Sequence, residues 1–156
     1  FENNLNKFFN YNHRIFNKGV VSNKKAYSGK WSVITNEASA FGLSVELKNI
    51  NAGDKFNFQV WRHSKNKNGR LVLKTGWGQY RYIEKVDSIG NYGWERLSME
   101  FKVSENISNE KLKIYVQNTN TENVWFDNMV INKLNVKTDT LLSDTKYVDM
   151  HYNLTH

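Results

Sequence analysis

The chain has 156 residues, a formal net charge of +7, no cysteine and 14% aromatic residues. This length fits one domain, the lack of cysteine excludes disulfides and thiolate metal sites, and no apolar run approaches the roughly 20 residues of a membrane helix. Because the lysines are scattered rather than clustered, we interpret the charge as solubilising and expect no nucleic-acid partner.

The first clear strand pattern is LSVELKNI at residues 43–50, and a glycine-containing turn separates it from KFNFQVWRHS at residues 55–64. A period of two residues puts Phe56, Phe58 and Val60 on one face of the second segment. The opposite face then holds Asn57, Gln59, Trp61 and His63. Arg62 is expected inward or at a sheet edge.

The segment KNKNGR at residues 65–70 contains the Asn-Gly pair that is typical of a tight β-hairpin. The apolar run LVLKTG follows it at residues 71–76. We therefore expect this run and residues 55–64 to be antiparallel neighbours in one sheet.

Three later segments repeat the alternation, namely QYRYIEKV at 79–86, WERLSMEFKV at 94–103 and KLKIYVQN at 111–118. Their predicted inward residues are Leu97, Met99, Phe101, Val103, Leu112, Ile114 and Val116. Trp94 is predicted to lie in the core, whereas Tyr115 and Gln117 fall on the outward face of the last segment.

The final strand pattern is NVWFDNMVINKL at residues 123–134, with Asp127 in its centre. A carboxylate there must face solvent, pair with a cation or hold a metal ion. Short strands at about ten-residue spacing predict an all-β, antiparallel sandwich. We expect one module over residues 1–134, followed at 135–156 by a linker or the start of another segment.

Common catalytic signatures are missing from the sequence, including a nucleophile elbow, a P-loop, GxGxxG after a strand and HExxH. The four histidines are far apart and do not share metal-ligand spacing. We therefore expect no enzyme. A polysaccharide lyase that uses His63 with Tyr115 and a nearby arginine is the alternative from that class.

Aromatic residues on predicted outward faces are the most informative signal. Trp61 shares its face with amides and His63, Tyr115 shares its face with Gln117, and Trp77 lies between glycines. Sugars stack their C–H faces on rings and need hydrogen bonds to their hydroxyls, so this combination indicates a carbohydrate ligand.

Five motifs in a fixed order extend this reading over most of the chain. They are FEN at 1–3, AYSGKWSV at 26–33, GDKFNFQVWRHS at 53–64, YGWERLSMEFKV at 92–103 and VWFDNMVI at 124–131. In this order they resemble the carbohydrate-binding modules with a galactose-binding-like jelly-roll β-sandwich, as appended to bacterial glycanases.

The resemblance implies an antiparallel jelly-roll β-sandwich and a non-catalytic polysaccharide-binding module. Such a module is expected to be monomeric and covalently linked to other domains of a secreted or cell-surface protein. The alternative is a protein-interaction or adhesion domain of a multidomain surface protein or toxin.

The resemblance also implies a structural Ca²⁺ held by Glu2, carbonyls at Ser28 and Lys30, and Asp127. Asn128 stands where a second acid is frequent, which implies a weaker or differently arranged site. The family binds ligands on a concave sheet face or in loops at one end. The face candidates are Asn57, Gln59, Trp61, His63, Tyr115 and Gln117, and the loop candidates are Trp77, Tyr80 and Tyr82.

Overall fold

Eleven strands in two antiparallel sheets make up the described part of the protein. The computed structural model describes residues 13–17, 20–76, 78–108 and 110–134, with backbone alone for 13–17. The strands are β1 (His13–Asn17), β2 (Val20–Ser22), β3 (Ser32–Thr35), β4 (Phe41–Leu47), β5 (Lys55–His63), β6 (Arg70–Thr75), β7 (Tyr80–Ile83), β8 (Val86–Ile89), β9 (Trp94–Lys102), β10 (Leu112–Gln117) and β11 (Val124–Leu134).

The five-stranded sheet has the order β1-β4-β10-β6-β7, and the six-stranded sheet has the order β2-β3-β11-β5-β9-β8. All pairs are antiparallel. The predicted all-β sandwich is therefore confirmed. Two short 3₁₀ turns, Asn91–Gly93 and Glu105–Ile107, are the helical elements of the described residues, and none of these residues belongs to a helix that could span a bilayer.

The core lies between the two sheets and comes from alternate residues of each strand. Along β5 the pattern is strictly alternating, with Phe56, Phe58 and Val60 almost fully buried. The other predicted inward residues are also in the core, with Met99 partly buried against it, and Trp94 is 4% exposed. Apolar burial at about 25 cal/mol per Å² is the main stabilising contribution of such a core.

The predicted hairpin between β5 and β6 is wrong, because these strands lie in different sheets. β5 pairs with β11 and β9, and β6 pairs with β10 and β7. The buried Arg62 side chain explains the crossing, since its Nη1 donates to the carbonyls of Lys67 (2.9 Å) and Gly69 (2.8 Å). The connecting loop is thereby held over the end of the sandwich instead of closing a two-residue turn.

The segment QYRYIEKV also crosses between the sheets, although its pattern indicates one strand. β7 lies at the edge of the five-stranded sheet, and β8 lies at the edge of the six-stranded sheet. Glu84 and Lys85 connect them, and the Glu84 carbonyl accepts a further hydrogen bond from Arg62 Nη1 (3.4 Å).

The four edge strands are short, with three to five residues each. The strands β5, β9 and β11 inside the six-stranded sheet have nine, nine and eleven residues. Long pairing is thus confined to the middle of the sandwich.

Candidate functional site

Three cross-strand rows define the outer surface of the five-stranded sheet. The first row is Glu46, Lys113, Lys74 and Tyr80, the second is Ser44, Tyr115, Val72 and Tyr82, and the third is Phe41, Gln117 and Arg70. Directly opposed side chains of neighbouring strands are close enough to interact. We call this surface, around Phe41, Tyr80, Tyr82 and Tyr115, the aromatic face.

Three rings of the aromatic face are open to solvent, and the fourth, Tyr115, is half-buried. Tyr82 is 52% exposed, and Phe41 and Tyr80 are each 44% exposed. Tyr115 and Tyr82 are separated by the buried Val72, so their positions are two strand spacings apart, about 10 Å. This arrangement offers two separated stacking surfaces along one line.

A polar network fixes the rings at one end of the face. Arg70 Nε and Nη2 both donate to Gln117 Oε1 (3.1 and 2.9 Å), and the Tyr80 hydroxyl donates to the same oxygen (3.3 Å). The Arg70 guanidinium also lies 4.4 Å from the centroid of the Tyr82 ring. Ring positions are therefore set before any ligand arrives, which reduces the entropy lost on binding.

A β-bulge directs Phe41 onto this face. Tyr115 pairs with Ser44 while Gln117 pairs with Phe41, so three residue steps in β4 (44 to 41) oppose two steps in β10 (115 to 117). Gly42 permits the bulge, because a Cβ there would lie 2.7 Å from Val116 Cγ2. The rings of Phe41 and Tyr115 consequently lie 5.9 Å apart.

Burial raises the pKa of Tyr115, and Tyr80 nearby adds to the effect while Arg70 opposes it. The hydroxyl is therefore protonated at neutral pH and available as a hydrogen-bond donor. It stands beside an exposed ring and a guanidinium, as a sugar ligand requires.

The structure brings together four of the predicted ligand residues and separates the others. Tyr115 and Gln117 share the aromatic face with Tyr80 and Tyr82, which lie in β7 and not in a loop. Trp77 lies outside the described residues. The β5 candidates Asn57, Gln59, Trp61 and His63 do point outward as predicted, but on the outer side of the six-stranded sheet. The β5 candidates and the aromatic-face residues therefore lie on opposite outer surfaces of the sandwich.

Trp61 is covered rather than presented to solvent. The Tyr27 ring stacks on it with centroids 4.1 Å apart and an interplanar angle of 11°. Gly90 packs at the edge of the stacked pair, since a Cβ there would lie 2.7 Å from Trp61 Cζ3 and 3.2 Å from Tyr27 Cε2. Trp61 is therefore a packing surface for two loops.

A concavity of about 510 Å³ lies beside the Tyr27–Trp61 stack, and we call it the loop pocket. Its lining comprises Lys24, Lys25, Ala26, Tyr27, His63, Asn91, Tyr92 and Trp94. Burial lowers the pKa of His63, and nearby Lys25 lowers it further, so the imidazole is neutral at pH 7. His63 and Tyr115 lie on opposite outer surfaces, so they do not form the acid-base pair that a lyase would use.

Asp127 faces outward under the loop that contains Tyr27. Its Oδ2 accepts the backbone N–H groups of Tyr27 (2.8 Å) and Ser28 (3.1 Å), and its Oδ1 accepts that of Asn128 (2.8 Å). Asn128 has φ of 47° at a bulge in β11, which keeps Phe126 and Met129 both inward. The carboxylate thus fixes the loop that covers Trp61.

The predicted calcium site is represented only in part by the described residues. Backbone N–H groups cannot ligate a cation, and the loop presents N–H groups of Tyr27 and Ser28 to Asp127. Lys30 is exposed, and Glu2 lies outside the described residues. No group of three or more His, Asp or Glu side chains within the described part is placed to hold a metal. The calcium site stays a prediction.

Phe41 and Arg70 are among the residues of the aromatic face that were not predicted from the sequence. Phe41 precedes the predicted strand at 43–50, and its orientation depends on the bulge at Gly42. Arg70 was assigned to a turn, but it is the first residue of β6. The local sign of a bulge in the sequence is Gly42, directly after Phe41, because a glycine inside a strand often marks a bulge.

No family model matches this chain, and no curated protein matches it. Among solved structures, it is similar to the CBM22-1 xylan-binding domain of Xyn10C from Paenibacillus barcinonensis, with 16% identity, a TM-score of 0.50 and coverage of 83% of this chain and 87% of that one. The C-terminal family 22 carbohydrate-binding module of Clostridium thermocellum Xyn10B is 16% identical, with a TM-score of 0.49 and coverage of 82% of this chain and 85% of that one. A cyclase from Fischerella sp. TAU is 15% identical, with a TM-score of 0.50 and coverage of 82% of this chain and 77% of that one.

The similarity to the Paenibacillus barcinonensis domain confirms the fold expected from the resemblance, a β-sandwich shared with a carbohydrate-binding module. The same fold also occurs in a cyclase. Function must therefore be argued from the surface of this chain and not from its architecture.

Proposed function

We propose that this domain is a non-catalytic module that binds polysaccharide on the aromatic face. The observation that supports the proposal is the set of exposed rings at Phe41, Tyr80 and Tyr82 with the half-buried ring of Tyr115 on one sheet surface, interleaved with Arg70 and Gln117. Rings provide stacking surface for sugar C–H groups, and the guanidinium, amide and hydroxyls provide hydrogen bonds.

An open sheet face is also suited to an extended ligand. In the described part of the chain this face spans four neighbouring strands, β4, β10, β6 and β7, which gives room for more than one sugar. Binding along a chain fits a module that keeps a larger protein near its polymer, so we further propose that the domain belongs to a multidomain secreted or cell-surface protein.

The test is affinity electrophoresis followed by calorimetry with soluble polysaccharides of several backbone types. Tyr82→Ala and Tyr115→Ala are each expected to weaken binding about tenfold or more, because each removes a stacking surface worth at least about 1.4 kcal/mol. Tyr92→Ala is the matched control, since Tyr92 is 94% exposed and lies at the loop pocket on the other side of the sandwich.

Circular dichroism and melting curves establish that each variant is folded. Absence of binding to every polysaccharide by the folded protein would contradict the proposal. If Tyr92→Ala removes binding while the Tyr82 and Tyr115 variants retain it, the loop pocket is the binding surface instead. If Tyr82→Ala and Tyr115→Ala both still bind a protein partner of this domain, that result would support the adhesion alternative.

A further inference from the structure

A small depression of about 190 Å³ lies within the aromatic face and differs from the rest of it in charge. It is lined by Phe41, Gly42, Ser44, Lys74, Lys113 and Tyr115. We call it the lysine pocket. Its base is the β4–β10–β6 part of the sheet, so its lining residues are held by three paired strands.

Ser44 places an unsatisfied polar atom in this pocket. The residue is only 3% exposed, and its Oγ is buried without a hydrogen-bond partner among the described residues. Leaving a buried hydroxyl unpaired costs about 1–3 kcal/mol. A ligand atom that accepts a hydrogen bond at the bottom of the pocket would satisfy it.

Lys74 and Lys113 are directly opposed on neighbouring strands. Like charges at such positions destabilise a sheet, and neither lysine forms an ion pair with a carboxylate in the described part of the chain. The carboxylate next in their row, Glu46, lies 3.5 Å from Lys111 and 3.9 Å from Lys48. Among the described residues, the two pocket lysines therefore carry positive charge without an ion-paired carboxylate.

Rings bound the pocket on one side. Phe41 and Tyr115 lie 5.9 Å apart, and the Lys113 ammonium lies 5.7 Å from the centroid of the Tyr115 ring. A group bound between the lysines would thus contact a stacking surface used by the same ligand. The arrangement joins one anion position to a sugar-binding surface.

We propose that the lysine pocket binds the anionic substituent, a carboxylate or a sulfate, of an acidic polysaccharide. The substituent lies between Lys74 and Lys113 and accepts a hydrogen bond from Ser44, while its sugar ring packs against Tyr115. This inference rests on the proposed glycan-binding function and specifies its ligand class.

The test compares acidic polysaccharides with neutral ones in calorimetry at two salt concentrations. Polygalacturonate supplies carboxylates, ι-carrageenan supplies sulfates, and galactan and agarose are their neutral counterparts. Binding to one acidic polymer is expected to be at least about tenfold tighter than to its neutral counterpart, and to weaken as salt rises. Preference for polygalacturonate would identify a carboxylate as the bound substituent, and preference for ι-carrageenan would identify a sulfate.

The double variant Lys74→Met/Lys113→Met is expected to lose this preference and to keep any affinity for the neutral polymer. Lys65→Met/Lys102→Met is the charge-matched control, because both lysines are exposed and lie away from the aromatic face. Ser44→Ala is expected to weaken acidic binding without lowering the melting temperature, since its hydroxyl has no partner to lose.

Each outcome has a separate meaning. Tighter binding to neutral polymers than to acidic ones overturns the inference and leaves the proposed function intact. An equal loss in the control double variant also overturns it, since long-range attraction would then explain the preference. Failure to bind any polymer overturns both.

Discussion

Arg62 is one of the largest fully buried side chains among the described residues, and it is charged. Its Nη2 lies 2.6 Å from Glu95 Oε2, and its Nη1 donates to backbone carbonyls of the loops that follow β5 and β7. Alternation along β5 predicted that this residue points inward or lies at an edge. It did not reveal the role, because two partners of the guanidinium, the Glu84 carbonyl and the Glu95 carboxylate, lie 22 and 33 residues further along the sequence.

Replacing Arg62 with methionine is expected to destabilise the protein by about 3–5 kcal/mol, since Glu95 and the carbonyls would be left buried without a partner. Urea unfolding, followed by the midpoint concentration, measures the loss. Arg96→Met is the matched control: the Arg96–Asp87 pair (3.0 Å) is partly exposed, and its loss should cost about 1 kcal/mol or less. Similar costs for the two variants would contradict a structural role for the buried pair.

At the scale of elements, the loop between β5 and β6 explains why a strong hairpin signal is wrong here. Gly69 has φ of +90°, and a Cβ on it would lie 2.7 Å from Phe126 Cζ and 2.8 Å from Val124 Cγ1. The Asn-Gly pair therefore supplies a left-handed glycine, as a hairpin would, but uses it to pack the loop onto β11.

Comparing Gly69→Ala with Gly53→Ala separates the effect of the left-handed backbone conformation from the effect of close packing against β11. Both glycines have left-handed φ, but nothing lies within 4 Å of a Cβ placed on Gly53. Gly53→Ala is expected to cost about 1–2 kcal/mol from backbone strain, and Gly69→Ala should cost about 1–3 kcal/mol more from overpacking. Thermal and urea unfolding measure both. Equal losses would show that loop packing against Phe126 contributes nothing.

The strands could be predicted better than their partners. Alternation identified the inward residues of β5, β9 and β10, because period-two patterning is a local property of each strand. The assignment of β5 and β6 to different sheets depends on the packing of Gly69 against Phe126 and Val124 and on the Arg62 contacts to Glu84 and Glu95, which are long-range in sequence. For the same reason the outward residues were identified strand by strand, but Trp61 and Tyr115 were grouped on one surface although they lie on opposite ones.

At the scale of the whole molecule, the two ends of the chain are the place to test for calcium. If Glu2 and Asp127 share an ion, adding Ca²⁺ to chelator-treated protein should raise the melting temperature by about 5–10 °C at a hundredfold excess over Kd. Mg²⁺ is the control ion, because it prefers a smaller octahedral site.

The variant Asp127→Asn is expected to lose the response to Ca²⁺. An identical melting temperature with chelator and with Ca²⁺ in the unmodified protein would reject the metal site. The role of Asp127 would then be the one that its hydrogen bonds describe, the positioning of residues 27 and 28 above Trp61.

The brevity of the outermost strands has a consequence for self-association. A free strand edge exposes unpaired N–H and C=O groups that can template pairing with another chain, and the hazard grows with edge length. Here the edges are three to five residues long, and β7 adds Arg81, whose guanidinium covers the Phe101 ring at 5.6 Å. Within the described strands, the sheet edges therefore offer little backbone for pairing with a second copy of this chain.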